Sequence, residues 1–383
     1  MNVIRKLIVC LCIAIIPLNP FAQIKVADYS AYLKDNSIDA IEFILSKLKS
    51  YRIVSIGEDH WIADHTSFFC EMLRVASQKD DTRPNIVALE FGNEIDQKTA
   101  DEVAFSTTFM ADSVIQILQH APDTYGNPYK EYFDIFKCIW EINQSLSTEK
   151  KMKIRLLDPA GVQDYFNGVP SQRETDRDMS MFKKIRLDYC AGNKIIFYAG
   201  QAHTQCQIRG TRLNGKPYFY NFPSAGFLLK HAYPNDVYII DLWSPLNMGT
   251  GYKINPSTGK WYERNYSLYD QAFEQNGNKR CGFDIKNSDW GNITMAEYYG
   301  IPGKEDSWVS QPIDANPYTT NILLSQLLDG IVFLKPSNEF SGATVFNIYT
   351  SEYMEVCRKR SKGELNTPND IMNKLKEMHP ILK

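Results

Sequence analysis

The chain has 383 residues, with 42 basic side chains against 45 acidic ones and a net charge of −3. This mildly acidic balance includes no long basic run, which argues against nucleic acid and against an anionic membrane surface as partners. The length allows a large hydrophobic core in one elaborated domain or in two.

The first 22 residues have the pattern of a secretory signal peptide. Met1–Lys6 is a short basic head, Leu7–Leu18 is an apolar run, and Ala22 offers a small residue before a cleavage point. The apolar run is shorter than the ~20 residues that a membrane-spanning helix needs. We therefore expect removal of residues 1–22, export of residues 23–383 to the periplasm or the extracellular space, and no stable membrane anchor.

Six cysteines follow the predicted signal peptide, and none of them forms a Cys-x-x-Cys pair. An even number in an exported protein is compatible with disulfides, although their pairing cannot be read from a sequence. Cys70 and Cys138 lie in helical patterns among apolar neighbours, and we interpret both as buried free thiols.

Short apolar runs alternate with helical patterns along the chain. Four runs rich in isoleucine, valine or leucine predict strands buried on both faces, at 53–56, 85–89, 153–157 and 194–199. Amphipathic helices are predicted between them at 66–78, 132–146 and 173–189. Later strands are predicted at 217–222, 236–243 and 329–336, with a last helix at 369–378. The alternation predicts an α/β fold with a mostly parallel central sheet flanked by helices.

Residues 244–320 interrupt this alternation. They are rich in glycine, asparagine, proline, tyrosine and tryptophan and have weak periodicity. We interpret them as a loop-rich insertion within one α/β domain of residues 23–383, lying over the sheet as a lid or substrate wall.

Acidic residues or histidines follow the ends of the first four strands. They are Glu58, Asp59 and His60, then Glu90, then Asp158, and finally His203. In open parallel sheets, ligands bind beyond the carboxyl ends of the strands. We therefore expect Glu58, His60, Glu90 and His203 to form one cluster, because an isolated buried carboxylate or histidine would be costly.

Two of these turns share the form Gly-x-x-His, at Gly57 and at Gly200. Glycine tolerates a positive φ and close backbone approach, so it lets the chain turn sharply off the sheet. His65 is either a residue of the first turn of the next helix or a cofactor ligand. Arg177 lies on a predicted helix, where it is placed either on a solvated surface or beside a carboxylate or substrate oxyanion.

Several of these segments resemble a known superfamily. The stretch "IVSIGEDHWIADH" resembles the Gly-Glu-x-His turn of ChaN-like haem-binding proteins, in which a second histidine falls at His65. The stretch "FYAGQAH" resembles the second histidine turn of erythromycin esterase-like proteins, and "RETDRDMSMF" resembles their Arg-Asp-x-x-Met helix at Arg177, Asp178 and Met181. The stretch "LDGIVFLKP" resembles their late strand, and the paired turns are similar to those of Tiki and TraB relatives.

The resemblance covers residues 50–205 and 329–336. It implies an α/β fold with a polar cleft, used by different members for macrolactone hydrolysis, metal-dependent proteolysis or haem binding. Two departures affect the substrate more than the fold. The esterases have one more residue between the glutamate and the histidine of the first turn, and Trp61 stands where ChaN-like proteins usually have aspartate.

These observations favour an exported hydrolase of an ester- or amide-like bond in a small molecule or a peptide. His60 is the expected general base, with Glu58 or Glu90 as its orienting partner. His203 would polarise the carbonyl or bind a metal, and Arg177 would stabilise the anionic intermediate. The chain has no Gly-x-Ser-x-Gly motif, so a serine nucleophile has no support.

Three alternatives remain open from the sequence. A divalent metal held by His60, His203 and Glu58 or Glu90 would match a His₂-carboxylate catalytic site. A non-covalent haem-binding protein of ChaN type would use His60, His65 or a tyrosine as axial ligand, with His65 and Asp158 as cofactor-binding residues. A binding-only module would keep the same polar residues without turnover.

Overall fold

The computed structural model describes residues 20–121, 125–160, 174–213, 216–244, 268–294, 322–336 and 339–378. Residues 1–19 of the predicted signal peptide lie outside this range, and residues 20–22 begin the first helix. Within the described part of the chain, no helix combines the length and the apolar character needed to cross a membrane.

Nine strands are described. They are β1 (Ile53–Glu58), β2 (Ile86–Asn93), β3 (Lys153–Asp158), β4 (Ile195–Gly200), β5 (Ile208–Leu213), β6 (Lys216–Pro223), β7 (Val237–Leu242), β8 (Cys281–Asp284) and β9 (Gly330–Phe333). All seven strands that the sequence predicts are among them, with boundaries that differ by a few residues. The strands missed are β5 and β8.

Thirteen α-helices are described. They are α1 (Pro20–Asn36), α2 (Ala40–Ser50), α3 (Ala63–Ala76), α4 (Gln97–Phe105), α5 (Ala111–Gln119), α6 (Lys130–Gln144), α7 (Glu174–Cys190), α8 (Gln201–Thr204), α9 (Ala225–Ala232), α10 (Leu268–Gln275), α11 (Leu324–Leu327), α12 (Ser351–Arg360) and α13 (Pro368–Met378). The predicted helices correspond to α3, α6, α7 and α13. Short 3₁₀ turns occur at Glu94–Asp96, Thr148–Lys150 and Asp289–Asn292.

The central sheet has seven strands in the order β3-β2-β4-β1-β7-β9-β8. All neighbouring pairs are parallel except β8 with β9, and β5 and β6 form a separate antiparallel pair. The predicted α/β fold with a mostly parallel sheet is therefore confirmed. The order places β4 between β1 and β2, so the carboxyl ends of three predicted strands are adjacent.

Helices cover both faces of this sheet, and each face has its own hydrophobic core. Along β1, Val54 and Ile56 belong to one core and Ile53 to the other, as the two-residue period of a strand requires. The first core packs against α2 to α6 and the C-terminal helices α12 and α13. The second packs against α1, α7, α9, α10 and α11. Burial on both faces explains why these strands consist of continuous apolar runs.

The predicted insertion, residues 244–320, is described only at Ser244 and over residues 268–294. That stretch contains α10, a 3₁₀ turn with buried Trp290, and β8, which forms the edge of the central sheet beside β9. This part of the segment therefore belongs to the sheet and its second core. Residues 245–267 and 295–321, and with them the suggested lid, lie outside the described residues.

The six cysteines of the described residues are all free thiols. Cys70 and Cys138 are buried, as the helical patterns around them predict.

Candidate functional site

The candidate site lies where β2, β4 and β1 end side by side. Gly57 and Glu58 of β1 pair with Ala199 and Gly200 of β4. A Cβ atom at Gly200 would lie 2.7 Å from Nε2 of His60, so a larger residue would collide with the histidine ring. The glycine is needed for this close approach, and neither Gly57 nor Gly200 has a positive φ. The expected role of glycine in a left-handed turn is therefore wrong here, while its role in close approach is confirmed.

Glu58 is a buried carboxylate that holds His60. Its Oε1 lies 2.9 Å from Nδ1 of His60 and accepts a hydrogen bond of 2.6 Å from the hydroxyl of Tyr132. Its Oε2 accepts a hydrogen bond from the hydroxyl of Tyr198. Burial first, and then the charge of Glu58, raise the pKa of both tyrosines well above the usual value, so both stay protonated donors. Three donors thus fix the orientation of one carboxylate.

Tyr132 and Tyr198 are site residues that the sequence prediction missed. Tyr198 lies inside β4, two residues before Gly200, and its ring stacks on Phe69 of α3 at 3.9 Å. Tyr132 lies in the first turn of α6 and stacks on Phe91 at 4.0 Å. Each ring belongs to the core and only its hydroxyl reaches the site, so the sequence pattern does not distinguish either tyrosine from an ordinary core residue.

Arg177 of α7 forms the second part of the cluster. Its guanidinium donates to both oxygens of Asp158 and, from Nη2, to Oε1 of Glu90 at 2.7 Å. Glu90 Oε2 also accepts the backbone N–H of Gly200 at 2.7 Å. Burial alone would raise the pKa of Glu90, but the positive charges of His203, Arg177 and His60 outweigh burial and lower it well below the usual value. Glu90 is therefore an ionised carboxylate at neutral pH.

His203 of α8 is held from both sides of its ring. Nδ1 lies 2.8 Å from Oδ1 of Asp178, which also accepts the backbone N–H of Ala225 at 2.8 Å. Nε2 lies 3.3 Å from Oε1 of Glu90 and 3.0 Å from Nη1 of Arg177. Burial lowers the pKa of His203, but Asp178 and Glu90 outweigh burial and raise it. Asp178 belongs to the Arg-Asp-x-x-Met pattern, and its place here is that of an orienting partner for the histidine.

His60 and Arg177 are the members of the cluster that reach solvent most. Their side chains are 21% and 14% exposed, whereas those of Glu58, Glu90 and Asp158 are at most 5% exposed. Nε2 of His60 lies 3.8 Å from Oε1 of Glu90. Burial lowers the pKa of His60, but Glu90 and Glu58 outweigh burial and raise it to about 9. A molecule arriving from solvent therefore meets a histidine that is cationic at neutral pH and loses its proton on the alkaline side.

The turn that carries His60 is strained and is supported by the C-terminal part of the chain. Trp61 has a φ of 66°, a region that bulky residues rarely adopt. Its carbonyl accepts the N–H of Ala343 at 2.7 Å, and the N–H of Ala63 donates to the carbonyl of Ser341 at 2.8 Å. Hydrogen bonds across more than 270 residues of sequence thus hold the backbone on both sides of the strained position. Such strain at a sheet edge is typical of functional sites.

The structure therefore brings together Glu58, His60, Glu90, Asp158, Arg177 and His203, and leaves His65 apart. His65 lies on the buried face of α3. Its Nδ1 accepts the backbone N–H of Asp59 at 3.2 Å, which places the ring proton on Nε2, 3.3 Å from the carbonyl oxygen of Trp243. Burial lowers the pKa of His65 to about 4. His65 is thus a neutral core histidine that ties β1 to the end of β7.

Replacing His65 by glutamine should reduce the amount by which acid lowers the free energy of unfolding. Since the pKa of His65 is about 4 in the folded protein and 6.5 ordinarily, the unfolded chain takes up a proton that the folded chain refuses. This histidine should therefore remove about 3 kcal/mol from the free energy of unfolding as the pH falls from 6.5 through 4. Urea denaturation of both proteins across this pH range measures the difference. If the free energy of unfolding falls equally with pH in both proteins, folding does not lower the pKa of His65.

The residues do not fit the divalent metal that the sequence allows. Among the residues that the structure describes, no three histidine, cysteine, aspartate or glutamate side chains are arranged to hold a metal ion. Both oxygens of Glu58 accept tyrosine hydroxyls, and Nε2 of His203 faces the guanidinium of Arg177. The positive charge beside Glu90 and His203 is supplied by an arginine, so we assign no step to a metal.

Two of the residues that the sequence suggests for haem are engaged in other contacts. Both ring nitrogens of His65 contact backbone groups, and Asp158 is paired with Arg177. Neither residue presents a free donor atom to an iron centre or to a propionate. His65 and Asp158 therefore do not fit the role of haem-binding residues.

Comparisons with known proteins identify the fold. No family model and no curated protein matches the chain. A solved Bacillus cereus protein has 12% sequence identity and a TM-score of 0.54, with 84% of this chain and 99% of that chain covered. A succinoglycan biosynthesis protein has 10% identity and a TM-score of 0.55, with 85% and 98% covered. An erythromycin esterase mutant in its open conformation has 13% identity and a TM-score of 0.45, with 76% and 92% covered. At these identities, the first two structures show that this chain shares their fold.

Proposed function

We propose that the protein hydrolyses an ester- or amide-like bond in a small molecule or a peptide, with His60 activating water. The observation that carries the proposal is the Glu58–His60 pair, which lies on the solvent-facing side of the buried ionic cluster. Glu58 is fixed by two tyrosine hydroxyls and contacts Nδ1 of His60 at 2.9 Å, while the His60 side chain is 21% exposed. A binding-only module would not need a histidine so rigidly oriented at a solvent-facing position.

The position of Glu58 decides which nitrogen of His60 acts as the base. When His60 is neutral, the carboxylate accepts a hydrogen bond from Nδ1–H, and the lone pair lies on Nε2. Nε2 is the nitrogen on the side of Glu90 and Gly200, at the end of β4. A water molecule hydrogen-bonded to Nε2 can lose its proton to the ring as it attacks a carbonyl carbon. Glu58 then stabilises the imidazolium that forms.

Three more deeply buried residues support this chemistry: Glu90, Arg177 and His203. Arg177 donates to Asp158 and Glu90, and His203 is oriented by Asp178. The positive charges of Arg177 and His203 keep Glu90 ionised. Glu90 in turn accepts the backbone N–H of Gly200 and faces His60. We propose that this group sets the charge and position of Glu90 beside the reacting water. We assign Arg177 no direct contact with an oxyanion, because its Nε and Nη2 donate to Asp158 and Glu90 and its Nη1 lies 3.0 Å from Nε2 of His203.

Export from the cytoplasm is part of the proposal and rests on the predicted signal peptide of residues 1–22. The substrate would accordingly be a molecule met outside the cytoplasm. The aromatic rings of Trp61 and Phe91 lie edge-on to His60, with ring centroids at 5.9 and 6.1 Å. Both side chains are buried, so they form an apolar support on one side of the His60 ring.

The pH dependence of hydrolysis should identify the role of His60. As a general base, His60 acts in its neutral form, so kcat/KM should rise with pH and level off near the pKa of about 9. The measurement uses chromogenic esters between pH 6 and 10, with His60→Gln as the control for spontaneous hydrolysis. A kcat/KM that falls over this range would mean that the cationic histidine acts as a general acid instead.

A further inference from the structure

Two cysteines face each other across a helix pair behind the site. Cys70 lies in the middle of α3 and Cys138 in the middle of α6, and these helices pack in the first core. The sulfur of Cys138 lies 3.6 Å from the carbonyl oxygen of Cys70. The sulfur of Cys70 lies 3.9 Å from the carbonyl oxygen of Asp134, one helical turn before Cys138. Each sulfur therefore contacts the backbone of the opposite helix.

A cavity gives small molecules access to these sulfurs. Its volume is about 280 Å³, and both cysteines line it. The other lining residues are polar or charged: Thr66, Ser67, Arg74, Glu131, Asp134, Lys137 and Glu141. The relative exposure of Cys70 is 7% and that of Cys138 is 1%, so the thiols lie at the inner wall of the cavity, away from the protein surface.

The two thiols have different acidities. Each cysteine is the largest influence on the acidity of the other, so that the pKa of Cys70 is raised and that of Cys138 is lowered. The cation of Arg74, one turn after Cys70, favours the thiolate form of both. A cysteine with a lowered pKa beside a second cysteine and an arginine is in the setting that favours the reactive thiolate form.

We propose that Cys70 and Cys138 form an oxidisable dithiol site that reacts with low-molecular-weight disulfides, of the class of glutathione disulfide. Cys138 thiolate attacks one sulfur of the reagent, breaks its S–S bond and releases one thiolate as leaving group. Cys70 then loses its proton and displaces the second thiol from the mixed disulfide. The dithiol is oxidised by two electrons, the reagent is reduced to two thiols that carry the two protons, and a disulfide joins α3 to α6.

This bond would connect the two helices that support the candidate site. α3 begins three residues after His60, and α6 carries Tyr132, whose hydroxyl holds Glu58. A disulfide also closes a long loop, because the cysteines are 68 residues apart. The oxidised form should therefore be more resistant to heat than the reduced form, with α3 and α6 held in register.

The experiment treats the purified full chain with glutathione disulfide and maps peptides under non-reducing conditions. The chain carries Cys190→Ser, because Cys190 is the exposed thiol. The expected result is a peptide joining Cys70 to Cys138, a loss of two titratable thiols, and a melting temperature several degrees above that of the reduced chain. Dithiothreitol should reverse all three changes. The further variant Cys138→Ser should give no joined peptide and no rise in melting temperature, whereas Cys357→Ser, at another buried cysteine, should behave like the parent chain.

Two results would overturn the proposal. One is a folded chain in which Cys70 and Cys138 stay reduced, or are joined to other cysteines, after the reagent has reacted. The other is a joined peptide that leaves the melting temperature unchanged, since the bond would then not constrain α3 and α6. The peptide map of the Cys190→Ser chain decides the first point even where Cys138→Ser fails to fold.

Discussion

Replacing His60 by glutamine should lower kcat/KM for ester hydrolysis by about 10²–10⁴-fold, the usual contribution of a general base. Glutamine retains a polar side chain of similar reach but cannot take up a proton at any working pH. The far-ultraviolet circular dichroism and the melting temperature should change little, because His60 lies in a turn at the sheet edge and is one-fifth exposed. His231→Gln is the matched control, since His231 is an exposed histidine on α9 outside the cluster.

One further variant tests whether Glu58 acts through His60. Glu58→Gln removes the charge that stabilises the imidazolium, so it should lower kcat/KM and also lower the pH at which the rate levels off. A purely structural effect would reduce the rate without moving the pH profile. Full activity in His60→Gln, with the profile of the native protein, would end the proposal that this histidine activates water.

The location of the site could be predicted because it follows from local patterns. Each of β1, β2, β3 and β4 is a buried apolar run that ends in polar residues, and parallel strands bring such ends to one edge. Glu58 and Asp158 are the last residues of β1 and β3, and Glu90 directly follows the apolar run Ile86–Leu89, although β2 continues to Asn93. The order of the strands does not follow from these local patterns. It is this order, with β4 between β1 and β2, that sets Gly200 against His60.

The residues that hold the site are harder to predict, because their function depends on the packing of distant elements. Tyr132 and Tyr198 reach Glu58 over 74 and 140 positions of sequence, and both look like ordinary core aromatics. The C-terminal segment that supports Trp61 likewise carries no motif. In each case the hydrophobic pattern predicts burial correctly and leaves unstated which polar atom the buried ring presents.

For His65, the sequence does contain a pattern that indicates a core position. Phe68, Phe69 and Met72 follow it at spacings of three, four and seven, so they share one face of α3 with it. All four are buried, and the histidine is part of the apolar stripe. Helical spacing therefore indicates a core position, and it outweighs the proximity of His65 to His60 along the chain.

α5 was missed although Val114, Ile117 and Leu118 show the same spacing, because the helix has only nine residues.

Replacing Arg177 by methionine should lower the free energy of unfolding by about 3–5 kcal/mol at pH 7, as expected when one partner of a buried ion pair is removed. Methionine fills much of the same volume, so the main loss is the positive charge. Glu90 and Asp158 would remain in place with side chains 5% and 0% exposed. Arg155→Met is the matched control, because Arg155 makes a similar two-bond contact with Asp188 but is 29% exposed. The decrease in its free energy of unfolding should be smaller, because Arg155→Met leaves one buried carboxylate without its partner, whereas Arg177→Met leaves two.

The pH dependence of this difference distinguishes lost charge from lost packing. Without Arg177, burial should raise the folded-state pKa of Glu90 above its value in the unfolded chain, and it should raise further the pKa of Asp158, which burial already holds above its ordinary value. A carboxyl group whose pKa is raised by folding destabilises the native state at high pH and ceases to do so once it is protonated. The difference in free energy of unfolding between the native protein and Arg177→Met, measured by urea denaturation, should therefore become smaller as the pH falls from 7 to 5. A gap that stays constant over this range would mean that methionine disturbs the packing of α7 and that the carboxylates do not depend on Arg177 for their charge.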